Sequence, residues 1–244
     1  MIGDFSYKEY HEIISWVQDN YKIYNFSEVD KDAENFCVIR HDVEFSVERA
    51  FNLAEFENTL GIQSTYLFQI RNNTYNTFSI ENVKKIRQIH ELGHQIGLHV
   101  HCGLVNDYNS IEEMIKQDID MLSKMLKINV QVFSYHRPSV DLLLQNLVID
   151  GYINAYSDTF FHAYSGLQPE KLNVKYIADS NHSWKYGHPM SVNHSKLQLN
   201  FHPFSWTQTG FKNKENFEMI LKEKNQEMIE SIRREIKTFP KEIL

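Results

Sequence analysis

Residues 36–44 read FCVIRHDVE, an apolar run that ends in charged side chains. The run Phe36–Ile39 predicts a buried strand, and the helical pattern after it begins at Ser46 and stops at Gly61. The polar residues therefore lie between a strand and its helix. Repeated units of this kind build parallel sheets covered by helices, in which ligand sites lie at the carboxyl ends of the strands.

The same alternation of strand and helix continues along the chain. Further strands are predicted at Ser64–Ile70, His94–His101, Val130–Ser134, Asn154–Ser157, Val174–Ala178 and Leu197–Phe201. Further helices are predicted over residues 7–21, 80–92, 140–149 and 214–237, and from Ser110, which forms a capping box with Glu113. We therefore predict one α/β domain over residues 1–244. Its motifs lie within residues 36–206, and its two terminal helices pack outside.

The composition limits the class of protein. The chain is 42% apolar and carries a net charge of −7, which supports a globular core and argues against nucleic acid as a partner. Two cysteines, Cys37 and Cys102, cannot form a disulfide framework. The first residues lack the features of a secretory signal, and no apolar run approaches the roughly 18 residues of a membrane span. We predict a cytoplasmic protein without a membrane span, and the oligomeric state stays open.

Five predicted strand ends carry chemically active side chains. They are Arg40–Glu44, His99–His101, Tyr135–Pro138, Asp179–Ser180 and His202–Pro203. Of the 12 histidines, 11 fall between His41 and His202, and histidine is the commonest metal ligand. Because the carboxyl ends of parallel strands share one edge of a sheet, we expect one site there. Two polar loops, 159–172 and 181–194, are candidates to line or cover it.

Two pairs of these residues suit a metal ion. Asp42 and Glu44 are two residues apart and face the same side of an extended strand, so one can be a ligand and the other a base. The alternative is a solvated acidic turn before a helix. His99 and His101 likewise share one strand face within reach of one ion, and such donors suit Zn²⁺ and its first-row neighbours. The alternative is a hydrogen-bonded histidine pair.

Three further residues suit acid–base work. Arg137, in a His-Arg-Pro turn, can clamp a carboxylate through two hydrogen bonds, or it can be an ordinary surface arginine. His202 ends a cleanly alternating strand and is a candidate general acid, with a capping histidine as the alternative. Asp179 can orient His202 and raise its pKa.

Taken together, five pieces of sequence resemble the polysaccharide deacetylase superfamily, the NodB-homology or carbohydrate esterase family 4 proteins. They occur in the family's order and read RHDVE at 40–44, GHQIGLH at 93–99, HRP at 136–138, IADS at 177–180 and LNFHP at 199–203. The first is similar to the R-H-D-V-D motif of a branch found with bacterial surface-polysaccharide loci. The resemblance implies a distorted (β/α) barrel of about seven parallel strands surrounded by helices, with a divalent metal ion.

The resemblance also implies a metal site and a base. It matches His99 to the first metal-binding histidine, Asp42 to the base and Glu44 to a ligand. In an alternative register Asp42 is itself the ligand. The family usually places a second histidine four residues after the first, but Gly103 occupies that position here. His101 is the natural substitute.

The remaining roles follow from the same resemblance. Arg137 matches the arginine that orients the base, and His202 matches the acid. Asp179 is the expected partner of His202, with Asp158 as the fallback.

The predicted function is a metal-dependent hydrolase, with Zn²⁺ as the expected ion. It would remove an acyl group, usually acetyl, from an N-acylated sugar or glycan precursor in surface polysaccharide biosynthesis. Two alternatives stay open. The first is another metal-dependent hydrolase of the amidohydrolase type, and the second is a non-catalytic barrel that binds a saccharide.

Overall fold

The computed structural model describes residues 3–30, 32–103, 110–161, 173–185 and 187–236, together with 238 and 240. The strands are β1 (Lys22–Tyr24), β2 (Phe36–Val43), β3 (Thr65–Phe68), β4 (Gln95–His101), β5 (Val132–His136), β6 (Ile153–Asn154), β7 (Lys175–Ala178) and β8 (Lys196–Phe201). The helices are α1 (Tyr7–Asn20), α2 (Val47–Thr59), α3 (Ile80–Glu91), α4 (Ile111–Leu126), α5 (Val140–Leu144) and α6 (Asn213–Glu235).

All strand pairs are parallel, and seven strands follow one another in the order β6-β5-β4-β3-β2-β8-β7. They form a curled half-barrel surrounded by helices, which confirms the predicted α/β class. The short strand β1, which the sequence pattern does not indicate, pairs with the first three residues of β2. Within the described residues, no helix combines the length and the hydropathy needed to cross a membrane.

Serine side chains mark the starts of the helices. Ser46, Ser79, Ser110 and Ser139 each accept a hydrogen bond from the backbone N–H three residues later, at the starts of α2, α3, α4 and α5. A serine cap of this kind typically stabilises a helix by about 1 kcal/mol. Each cap fixes the residue at which the connection ends and the helix begins. The caps therefore limit the length of the polar turns that follow the strands.

The pleat of β2 divides its residues between two environments. All eight are buried. Cys37 and Ile39 pack on the outer face against α1, whereas Phe36 and Val38 pack inside the half-barrel. Because successive side chains alternate, the polar residues that follow at even positions also point into the half-barrel. The interior is therefore apolar near the amino end of β2, which we call the lower end of the half-barrel. It is polar near the carboxyl end of β2, which we call the upper end.

Gly97 allows β3 and β5 to approach β4 closely just below the polar layer. A Cβ atom at this position would lie 2.8 Å from the carbonyl oxygen of Val132 on β5, and it would also collide with the side chain of Leu67 on β3. Only glycine fits this close approach of three strands. The next inward side chain on β4 is His99.

The outer face of the sheet carries a buried charge, Glu57 of α2. Its Oε1 accepts a hydrogen bond from the Tyr10 hydroxyl at 2.5 Å and contacts His41 Nε2 at 2.9 Å. Its Oε2 accepts from Ser64 Oγ at 2.7 Å and from the Tyr66 hydroxyl at 2.8 Å. Burial raises the pKa of Glu57, but the charge and hydrogen bond of His41 outweigh it and lower the pKa to about 2. Glu57 therefore links α1, α2, β2 and the β3 region.

Glu57→Gln should lower the free energy of unfolding by about 3 kcal/mol, because it removes one partner from a buried charged network. The folded pKa of Glu57 is depressed, so its contribution is present above the unfolded pKa of about 4.5 and is lost as the pH falls towards 2. Urea denaturation between pH 7 and pH 3 measures both effects. The exposed neighbour variant Glu55→Gln is the control, and equal stabilities of the two variants would contradict the network.

Candidate functional site

The polar layer at the upper end of the half-barrel begins with Arg40 and Asp42 on β2. Arg40 is completely buried. Its Nη2 donates to Asp42 Oδ2 at 3.0 Å and to the Tyr156 hydroxyl at 2.7 Å, and its Nη1 donates to Gln198 Oε1 at 3.1 Å. The guanidinium also lies 4.4 Å from the ring centre of Tyr156. Arg40 is thus held on several sides and presents its charge to Asp42.

The two oxygens of Asp42 have different surroundings. Oδ2 accepts hydrogen bonds from Arg40 and from Asn200 Nδ2, the latter at 2.8 Å. Oδ1 has only long contacts, 3.4 Å to Ser134 Oγ and 3.7 Å to His99 Nδ1. Burial raises the pKa of Asp42, but the charge of Arg40 outweighs it and holds the pKa below its usual value. Asp42 is therefore a carboxylate with one anchored oxygen.

Glu44, His99 and His136 form a group that can hold a metal ion. His136 Nδ1 lies 3.0 Å from Glu44 Oε1 and 3.3 Å from His99 Nε2, and His99 Nε2 lies 3.9 Å from Glu44 Oε1. Burial raises the pKa of Glu44, but its hydrogen bonds with His136 and His99 outweigh it and lower the pKa. Burial also lowers the pKa of His99 and favours the neutral ring that binds metals. Two imidazole nitrogens and one carboxylate oxygen suit Zn²⁺.

The other nitrogen of His99 is also engaged. His99 Nδ1 lies 2.7 Å from Ser134 Oγ, which fixes the plane of the ring and directs Nε2 towards Glu44 and His136. Partners of this kind orient metal-binding histidines in proteins generally. The described residues of the site therefore fit a divalent ion in both the donor set and its support.

His101, the second predicted ligand, lies beside this group. Its ring centre is 5.5 Å from that of His136, and its buried Nδ1 has no hydrogen-bond partner among the described residues. The β4–β5 register places His101 opposite His136, while the His136 side chain reaches Glu44 and His99. His136 is not among the ligands predicted from the sequence. The available signal was its position at the end of the strand next to β4.

Arg137 lies apart from Asp42, the carboxylate it was expected to orient. It is exposed, and its φ of +50° lies in the left-handed region. This turn directly follows the last residue of β5. The arginine in contact with Asp42 is Arg40.

His202 follows β8 and contacts Asp179, which is completely buried. His202 Nδ1 lies 2.5 Å from Asp179 Oδ1, and its backbone N–H donates to both carboxylate oxygens at 3.0 and 3.1 Å. Trp206 is buried, and its Nε1 donates to Asp179 Oδ2 at 2.7 Å. Burial lowers the pKa of His202, but the charge and hydrogen bond of Asp179 outweigh it and raise the pKa to about 9. Asp179, not Asp158, therefore supports His202.

Two other histidines lie away from the metal-binding group. His41 and His94 lie on the outer face near Glu57. Most of the predicted loop 159–172 lies outside the described residues, and so do residues 104–109 after β4.

Comparison with known proteins gives matches among solved structures only, since no family model and no curated protein matches the chain. A family 4 carbohydrate esterase from Bacillus anthracis matches with 14% identity and a TM-score of 0.42, over 89% of this chain and 86% of that one. The chitin deacetylase of Colletotrichum lindemuthianum matches with 15% identity and a TM-score of 0.44, over 77% and 81%.

A carbohydrate esterase family 4 pseudoenzyme from Bacillus anthracis matches with 12% identity and a TM-score of 0.44, over 81% of this chain. The chain spans 63% of that pseudoenzyme, less than two thirds of its length. The matched structures belong to the superfamily that the sequence motifs resemble. Identities and scores in this range do not determine activity, so the function rests on the side chains of the site.

His136→Ala should weaken Zn²⁺ binding by more than about 100-fold, because even loss of an outer partner of a metal ligand can reach that size. Competition against a chromophoric chelator measures the affinity. His101→Ala is the matched control, since it removes an adjacent imidazole outside the group, and it should keep the affinity within about tenfold. The reverse result would support the ligand set predicted from the sequence.

Asp179→Asn should lower the pKa of His202 from about 9 by at least about one unit, because it removes the neighbouring charge. The folded pKa is raised, so this pair stabilises the fold fully below about pH 6.5 and loses its effect as the pH rises through about 9. An NMR titration of the histidine rings measures the pKa directly. Asp158→Asn is the control, and an equal fall in that variant would contradict the assignment.

Proposed function

We propose that the chain is a metal-dependent hydrolase that removes an acyl group from an N-acylated amino sugar. The observation that carries this proposal is the arrangement at the upper end of the half-barrel. An anchored carboxylate, a histidine with a raised pKa and a metal-binding group share that site. The charges of Glu44 and Asp42 contribute to raising the pKa of His202, which supports their proximity.

Glu44, His99 and His136 would hold the divalent ion. When bound, such an ion supplies Lewis-acid activation of water and of the amide carbonyl. The buried Ser134 supports this group through His99 Nδ1.

Asp42 is the proposed base. Its Oδ2 is occupied by Arg40 and Asn200, while Oδ1 has only long contacts and is free to take a proton from the attacking water. Arg40 is the proposed positioning residue. It lies on the same strand as Asp42, and its hydrogen bond to Oδ2 holds the carboxylate in place. Asp42 is not part of the metal-binding group, which favours the base over the alternative of a ligand.

His202 is the proposed acid. An amide can be cleaved only if the departing nitrogen receives a proton, and Asp179 keeps His202 protonated at neutral pH. The cleavage breaks the C–N bond, forms a carboxylate from the acyl group and leaves a free amine on the sugar. Base and acid therefore come from different strands, β2 and the end of β8.

Asp42→Asn should lower kcat for acetate release from N-acetylated sugars by about 100-fold or more, because the base is lost. The variant should still bind one Zn²⁺ per chain. Coupled detection of acetate, together with metal analysis of the same samples, measures both quantities.

Three outcomes separate the alternatives. Loss of metal together with activity in Asp42→Asn would make Asp42 a ligand. Hydrolysis of simple amides but not of N-acetyl sugars would favour an amidohydrolase-type enzyme. Wild-type protein that holds Zn²⁺ and binds the sugars without releasing acetate would favour a saccharide-binding barrel.

A further inference from the structure

A second feature of the upper edge is a groove of about 420 Å³ beside the ends of β4 and β5. Cys102 and Gly103 line one side of it. Arg137, Asp141 and Gln145 line the other.

The groove lies next to the proposed metal site. Arg137 directly follows His136, whose Nδ1 lies 3.0 Å from Glu44. On the opposite side, His101 fills the space between His136 and Gly103. A Cβ atom at Gly103 would lie 3.1 Å from His101 Cε1. A substrate whose amide lies at the metal site can therefore extend into this groove.

Arg137 is the one arginine in the described part of the chain for which the structure shows no hydrogen bond or ion pair. The other arginines have partners, such as Asp42 for Arg40, Glu223 for Arg49 and Glu81 for Arg234. Arg40 already supplies the cation next to Asp42, so Arg137 is free for another task. Its exposed guanidinium stands at the groove with an unsatisfied positive charge.

We propose that Arg137 binds an anionic group of the substrate, so that the preferred substrate is an acidic N-acyl sugar. This inference rests on the proposed function. A guanidinium binds carboxylate and phosphate groups through two parallel hydrogen bonds, so either group fits its chemistry. Asp141 in the same groove is an acceptor for sugar hydroxyls. The groove therefore offers one contact for an anion and another for the neutral part of a sugar.

Three probes test the proposal with the Zn²⁺-loaded full chain: neutral N-acetylglucosamine, N-acetylglucosamine 1-phosphate and N-acetylmuramic acid. Wild type should have a kcat/KM at least about tenfold higher for one acidic probe than for the neutral one. Arg137→Gln should remove this preference by raising KM while kcat stays the same. Arg137→Lys keeps the charge without the planar fork and should recover part of the preference. The probe that responds distinguishes phosphate from carboxylate.

Each failure has a separate meaning. Equal hydrolysis of all three probes, unchanged in Arg137→Gln, would overturn the role of Arg137 and leave the deacetylase proposal intact. If no probe is hydrolysed, the proposed function fails, and calorimetric binding decides the inference. Binding of an acidic probe that Arg137→Gln weakens about tenfold or more would support the anion contact. Binding that is absent or unchanged would refute it.

Discussion

The buried ion pair between Arg40 and Asp42 is the interaction on which the upper half-barrel depends. Two charges are removed from water there, and their mutual attraction and hydrogen bonds must offset the cost in free energy. The partners come from different parts of the chain, with Tyr156 after β6, and Gln198 and Asn200 on β8. A single requirement for charge compensation therefore fixes the relative positions of several strands, and the proposed site is built on that frame.

The opposite face of β2 meets the same requirement in a different way. His41 lies next to Asp42 in sequence, yet it points outward to Glu57, which also binds side chains from α1 and the β3 region. The strand β2 thus lies between two polar networks with different roles. The inner network borders the proposed site, whereas the outer one attaches helices to the sheet. A histidine-rich sequence can therefore use histidine for structure and for chemistry within a few residues.

The class of fold is predictable from the sequence because the information for it is local. Strand and helix periods, serine caps and polar strand ends are all visible in short segments, and they led to Asp42, Glu44, His99 and His202. The identity of the contacting arginine was not local. Arg40 and Arg137 both follow strands predicted from the sequence, and only the structure separates them: Arg40 lies inside β2, whereas Arg137 lies in a turn with a positive φ. The position of His136 likewise depends on how its side chain crosses from β5 towards β4, which no single segment encodes.

His99 belongs to the metal-binding group through Nε2, and its Nδ1 faces Ser134 and Asp42. A neutral imidazole carries one proton, and a metal ion held by Nε2 would confine that proton to Nδ1. Ser134 Oγ must then accept it at 2.7 Å, so the serine hydroxyl hydrogen turns towards Asp42 Oδ1 at 3.4 Å. The tautomer of one ring on β4 thus determines which way a serine hydroxyl on β5 points. A metal ion bound at Nε2 would in this way direct a hydrogen bond towards the carboxylate of Asp42 on β2.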